Sequence, residues 1–250
     1  MKTKLLTGLC VTCLVANPAA AALINGDFET GDLTGWSSFS FGGQTNNLLI
    51  DSVTPLSGSH SMTTDNAGST ANTIRSTTQS FTAFTDFVYT MDFRIDGTST
   101  VREMDWSLGA LTGGEANGLI RFGVDNTNGI RGIGINGAAA GAFGSLNGGS
   151  FNPVTGVEYT WVLTGSDFDG TSSASYDVEI FQGASSVYTS LNNTFTSASG
   201  ASIQSVNFTR GGNWGAGAYT VDNIGIAVPE PSSAALVGLA GLALILRRRK

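Results

Sequence analysis

Thiols are scarce in this chain of 250 residues: Cys10 and Cys13 are its two cysteines, and both fall near the N-terminus. Beyond them no disulfide, cysteine-ligated metal or cysteine nucleophile is available, which leaves a packed core and a hard metal ion as sources of stability. Lysine is missing altogether from residues 23–228. There Arg75, Arg94, Arg102, Arg121, Arg131 and Arg210 are the only basic groups against eighteen carboxylates, a net charge of −12. Such a surface repels phosphates and argues against nucleic acid as a partner. His60 is the sole histidine. A histidine-cluster metal site is therefore excluded, and a Ser-His-Asp arrangement would rest on that one residue with no nucleophile-elbow motif beside it; His60 reads as a strand residue. The glycines around Gly132-Ile133-Gly134 do not open a helix after a strand, so they read as hairpin residues and not as a phosphate loop. No helical period occurs outside the two termini.

The termini are distinct in physics from what lies between them. Lys2 and Lys4 precede an apolar stretch, 5–15, and the small residues Ala19-Ala20-Ala21-Ala22. That order matches a secretory signal peptide over 1–22, removed by a signal peptidase near Ala22. Neither cysteine follows the small residue that lipoprotein acylation needs. At the other end, Pro229-Glu230-Pro231 is followed by apolar residues 234–246 and then Arg247-Arg248-Arg249-Lys250. Prolines stop the preceding fold. The apolar run would reach about 20 Å as a helix, short for a hydrocarbon core of ~30 Å. Ser232, Ser233 and snorkelling arginines extend it to a thin or tilted span, with the cations on the cytoplasmic side. A buried helix or a nucleic-acid tail explains four terminal cations less well than a stop-transfer signal.

Pro229, Glu230 and Pro231, the apolar run with Gly238 and Gly241, and Arg247, Arg248 and Arg249 resemble the PEP-CTERM sorting signal of Gram-negative bacteria that make exopolysaccharide. The resemblance covers residues 229–250. It implies export through the inner membrane, transient anchoring by the C-terminal helix, and recognition by an exosortase, a membrane-embedded cysteine transpeptidase that acts on this chain and delivers it to the cell surface or extracellular matrix.

Residues 23–228 read as one all-β domain. The segments 88–95, 157–163 and 176–181 alternate in places and are rich in β-branched and aromatic residues. Asp96-Gly97, Asn117-Gly118, Asn128-Gly129, Asn136-Gly137, Asn147-Gly148 and Asp169-Gly170 punctuate them with residues that tolerate positive φ. Residues 119–124 and 130–135 read as one hairpin. A two-sheet antiparallel jelly-roll β-sandwich of about a dozen strands is the expected architecture, and about 205 residues suffice for a single core. Trp36, Trp106 and Trp161 lie in or beside strands and read as core.

The opening from Asn25-Gly26-Asp27-Phe28-Glu29 to Gly35-Trp36 resembles the first strand and loop of galactose-binding-like carbohydrate-binding modules, and Gly58-Ser59-His60-Ser61-Met62 their next strand. The segments around Trp161, Tyr176 and Tyr219 also resemble concanavalin A-like lectins and glucanases. The first resemblance implies a structural calcium held by Asp27, Glu29 and Asp222, the first two placed on one face of a strand and all three supplying the oxygens Ca²⁺ requires; the alternative is solvated edge carboxylates. Trp214, in a glycine-rich stretch with few side chains to bury it, either stacks on a sugar or folds back on the core, and Asn213 and Arg210 stand ready as polar contacts to sugar hydroxyls. Glu103-Met104-Asp105 is similar to the catalytic strand of laminarinase-type glucanases, which need two carboxylates across the scissile bond, but Leu108 occupies the position of the second glutamate. The expectation is a non-catalytic carbohydrate-binding or structural component of the surface, associated with extracellular polysaccharide, with a divergent glycoside hydrolase as the alternative.

Overall fold

The computed structural model describes residues 19–21, 23–40, 48–64, 74–98, 104–109, 118–125, 129–133, 143–169, 174–195, 203–211 and 217–228. Contacts divide the chain into Ala20–Val228 and a second unit made of Met1–Ala19 and Pro229–Lys250. The described part contains fifteen strands: β1 Ala19–Ala21, β2 Ser37–Ser40, β3 Leu48–Asp51, β4 Ser61–Thr64, β5 Ile74–Phe84, β6 Phe87–Gly97, β7 Met104–Gly109, β8 Gly118–Asp125, β9 Gly129–Ile133, β10 Phe143–Ser145, β11 Glu158–Ser166, β12 Ser175–Gln182, β13 Ser185–Thr194, β14 Ile203–Gly211 and β15 Ala218–Val228. They form two sheets. Sheet A has the order β13-β12-β11-β6-β15-β4-β3, with β1 beside β15, and sheet B has the order β10-β9-β8-β7-β14-β5-β2.

Strand β6 shows why the chain folds this way. Phe87, Tyr89, Met91, Phe93 and Ile95 are fully buried, while Thr90, Asp92, Arg94 and Asp96 between them are half-buried on the opposite face. Alternation at period two turns one face of a strand to a core and the other outward, and each such side chain contributes about 1.5–3 kcal/mol when fully buried. Its neighbours repeat the pattern with Tyr159, Trp161 and Leu163 on β11 and Tyr176, Val178 and Ile180 on β12. From sheet B, Met104, Trp106 and Leu108 on β7 and Ile120, Phe122 and Val124 on β8 join the same core. The two layers meet at an aromatic cluster: Trp106 packs edge-on against Trp161 at 4.9 Å, and Phe122 lies 5.0 Å from Trp161 and 5.8 Å from Tyr176. Within that cluster Trp106 Nε1, Trp161 Nε1 and the Tyr176 hydroxyl have no hydrogen-bond partner. Burial, reinforced by Tyr188, pushes the Tyr176 phenol well up.

The hairpin expected around Asn128-Gly129 is present as β8 and β9, with Asp125 opposite Gly129. Gly129 sits at φ +67°, and a Cβ there would come within 2.3 Å of the Phe151 carbonyl oxygen. Trp36, Trp106 and Trp161 are buried as expected. The opening segment differs from expectation, because residues 24–35 form a succession of turns and bends and no strand. Asn25 and Phe28 adopt positive φ, which breaks any extended run. The Asn25 side chain donates to the Asp32 carbonyl oxygen and accepts from the Thr30 amide, and the Trp36 indole donates to the Asn25 carbonyl oxygen. His60 precedes β4 by one residue.

Candidate functional site

Each sheet presents an outward face, and the two differ. On sheet B, cross-strand register sets Thr209, Asp105, Gly123 and Arg131 in one row and Asn207, Ser107 and Arg121 in the next. Asp105, Ser107, Asn207 and Thr209 are each no more than 5% exposed although they point away from the apolar core. Arg121 holds Asp105 in a fork: its Nε lies 2.9 and 3.0 Å from the two carboxylate oxygens, and its Nη2 closes on Oδ2. Bidentate guanidinium–carboxylate pairing of this kind fixes both groups. Asp105 of the glucanase-like strand is therefore buried and paired with an arginine. Glu103 lies outside the described residues.

Sheet A turns a very different surface outward. Its strands carry seven acids and one cation, Arg94, whereas those of sheet B carry two acids and four arginines. Residues 51–60 fold against this acidic face. The Arg94 guanidinium is shared among Asp96, Glu158 at 3.5 Å and the Thr54 carbonyl oxygen at 3.0 Å. Asp92 faces Thr160 across the β6–β11 ladder, and its two oxygens accept from the Thr160 hydroxyl at 2.6 Å and the Asn223 amide at 2.8 Å. Over these residues lies an open cleft of about 160 Å³, lined by Leu56, Asp92, Glu158, Tyr159, Thr160 and Gly183.

Of the three carboxylates expected to hold calcium, Glu29 and Asp222 bind protein donors of residues 57–61. Glu29 Oε1 accepts the amides of Ser59 at 2.8 Å and His60 at 3.1 Å, and those two amides, the Ser59 one first, hold its carboxyl below the usual range. Asp222 is buried. Its Oδ2 accepts from the Ser57 amide and hydroxyl and from the Ser61 hydroxyl, and its Oδ1 from the Asn223 amide. Desolvation nonetheless raises its carboxyl above the ordinary value, against the pull of those donors. Asp27 is exposed and bonds only weakly to the Glu29 amide, at 3.4 Å. Because Asp27 and Glu29 lie in turns, the shared strand face expected for them is absent. Among the described residues no three His, Cys, Asp or Glu side chains gather. As placed, Asp27, Glu29 and Asp222 do not converge on one point, as ligands of a calcium ion would.

Of the expected glycan contacts, Trp214 and Asn213 lie outside the described residues, and Arg210 is placed by its backbone alone, opposite Arg75 on β5. Pro229, Glu230, Pro231 and the terminal arginines also lie outside them. Asp92, Glu158 and Thr160 were not picked out from sequence as site residues. They sit at the outward positions of two aromatic-rich strands, and only the pairing of those strands brings them together.

Residues 227–250 match the PEP-CTERM protein-sorting motif. No curated protein matches the chain. Among solved structures, the T. cruzi calreticulin globular domain is similar at 10% identity over 88% of this chain and 97% of that one, with a TM-score of 0.54. Cellulose induced protein, Cip1, is similar at 20% identity over 80% and 95%, TM-score 0.53. The VIP36 exoplasmic/lumenal domain in its Ca²⁺/Man3GlcNAc-bound form is similar at 9% identity over 79% and 85%, TM-score 0.52. At these identities the likeness is one of fold alone, a two-sheet antiparallel β-sandwich, and the sorting motif follows it in sequence.

Proposed function

We propose that this chain is an exported surface or matrix protein whose sandwich binds polysaccharide without cleaving it. The observation that carries the reading is the direct join between fold and address. Strand β15 runs to Val228 and the sorting motif occupies 227–250, so the lectin-like sandwich is itself the cargo. On this reading a signal peptidase removes residues 1–22, an exosortase-type enzyme acts near Pro229-Glu230-Pro231, and the sandwich is delivered to the outside. The saccharide-bound state named for the VIP36 domain supports a glycan as ligand. Leu108 at the place of the second glutamate supports binding over hydrolysis, since a glycosidase needs two carboxylates across the scissile bond. Asp222 and Glu29 serve as internal anchors for residues 57–61, and calcium has no part in the proposal.

The test is expression of the full chain in an exosortase-bearing host, with the intact mass of the surface protein as readout. Loss of both termini in the native chain, and retention of the tail after Pro229→Ala and Pro231→Ala, is the expected result. A surface protein that still carries Lys250 contradicts it.

A further inference from the structure

We propose that the outward face of sheet A docks an amine-bearing, cationic polysaccharide, with one ammonium group seated in the cleft over Asp92 and Glu158. This rests on the glycan-binding reading and names the class of glycan. The first support is charge. The strands of sheet A carry seven acids against one cation, Arg94, and a field of one sign draws in partners of the other. A polyanionic glycan would be repelled from this face.

The second support is the build of the cleft. Asp92 is held in place by Thr160 and Asn223, both neutral donors, and a carboxylate has about four lone-pair sites, so acceptor capacity remains. Arg94, the nearest cation, is turned to Asp96 and Thr54 and touches Glu158 only at 3.5 Å. Glu158 is 58% exposed and free to swing to a ligand. Opposite them, Gly183 has nothing within 4 Å of where a Cβ would stand, which leaves the mouth open. The cleft measures about 160 Å³. That suits one sugar unit: its ammonium meets the carboxylates, its hydroxyls meet Thr160, and its C–H face meets Leu56.

Calorimetric titration of the processed protein tests this with three probes: a glucosamine oligomer, the N-acetylated oligomer of equal length, and an oligolysine of equal charge. The glucosamine oligomer is expected to bind, more weakly at high salt because the contacts are screened. Its affinity should fall about tenfold or more on N-acetylation, on Glu158→Gln and on Asp92→Asn, as loss of a charge-assisted contact predicts. Glu158→Gln is a surface change, so its effect is read on a folded protein. Equal binding of both oligomers, indifferent to the two variants, overturns the proposal and leaves the glycan reading standing. Tighter, Asp92-dependent binding of oligolysine overturns it in favour of a basic protein. Failure of both glycan probes overturns the proposal, and binding of another polysaccharide by the same protein then keeps the glycan reading.

Discussion

The two sheets share one core and solve the problem of their outward charges in opposite ways. Sheet B locks its central carboxylate into a pair. It carries few carboxylates, and the one at its centre, Asp105, is buried and forked by Arg121 from the neighbouring strand. Sheet A leaves most of its charge unbalanced, ties part of it to the backbone and hydroxyls of residues 51–61, and keeps a cleft open over the remainder. A buried pair with good geometry fixes structure, whereas exposed carboxylates without cations remain available to a partner. The polar groups of sheet B hold structure, and those of sheet A carry the binding proposed above.

The largest effect is expected where the comparison is broken on sheet B. Arg121→Met removes the fork from a buried carboxylate and should cost about 3–5 kcal/mol, the usual consequence of removing one partner of a buried pair, read as a lower urea midpoint. On sheet A, Asp222→Ala removes the acceptor of the Ser57 and Ser61 hydroxyls and of the Ser57 amide. Leaving such donors unpaired costs about 1–3 kcal/mol, again by urea unfolding, with glycan binding altered only if residues 51–60 loosen. Tyr176→Phe sharpens the comparison by showing that the shared core is not the source of the difference. Its hydroxyl is buried without a partner, so removal should leave stability unchanged or raise it by up to about 1 kcal/mol.

The smallest effect is a change of slope. Glu29 is depressed in the fold, so its contribution is present above its unfolded value and lost as pH falls through the folded one. Asp222 is raised, so its folded form prefers the proton and stability declines as pH rises from the unfolded value through the folded one. The two anchors of residues 57–61 therefore titrate with opposite sign. Unfolding measured between pH 3.5 and 6, a window spanning roughly the carboxylate range, should show stability rising more steeply with pH in Asp222→Asn and less steeply in Glu29→Gln.

Much of the fold was legible because β6, β11 and β12 alternate cleanly and Asn128-Gly129 falls between two strands that pair as β8 and β9. The opening segment misled. Asn25-Gly26-Asp27-Phe28-Glu29 has the composition of a strand entry, but Phe28 takes a left-handed backbone conformation that a bulky residue adopts only under tertiary constraint, here a fully buried ring 5.5 Å from Trp36. Asp222 and Ser57 stand 165 residues apart, so the partners that occupy its oxygens could not be read locally. The same holds for Asp92 and Glu158, whose proximity is a product of the β6–β11 register. Arg121 forks Asp105 from one strand over, and the sequence offered several arginines with nothing to choose among them.

The central claim, that the sorted sandwich binds polysaccharide and leaves it intact, is tested most directly by size-exclusion chromatography of the processed protein mixed with a panel of polysaccharides of defined length. Co-elution with at least one polymer whose length is unchanged after prolonged incubation is the predicted result. Absence of co-elution with every polymer, or progressive shortening of one, would contradict the account.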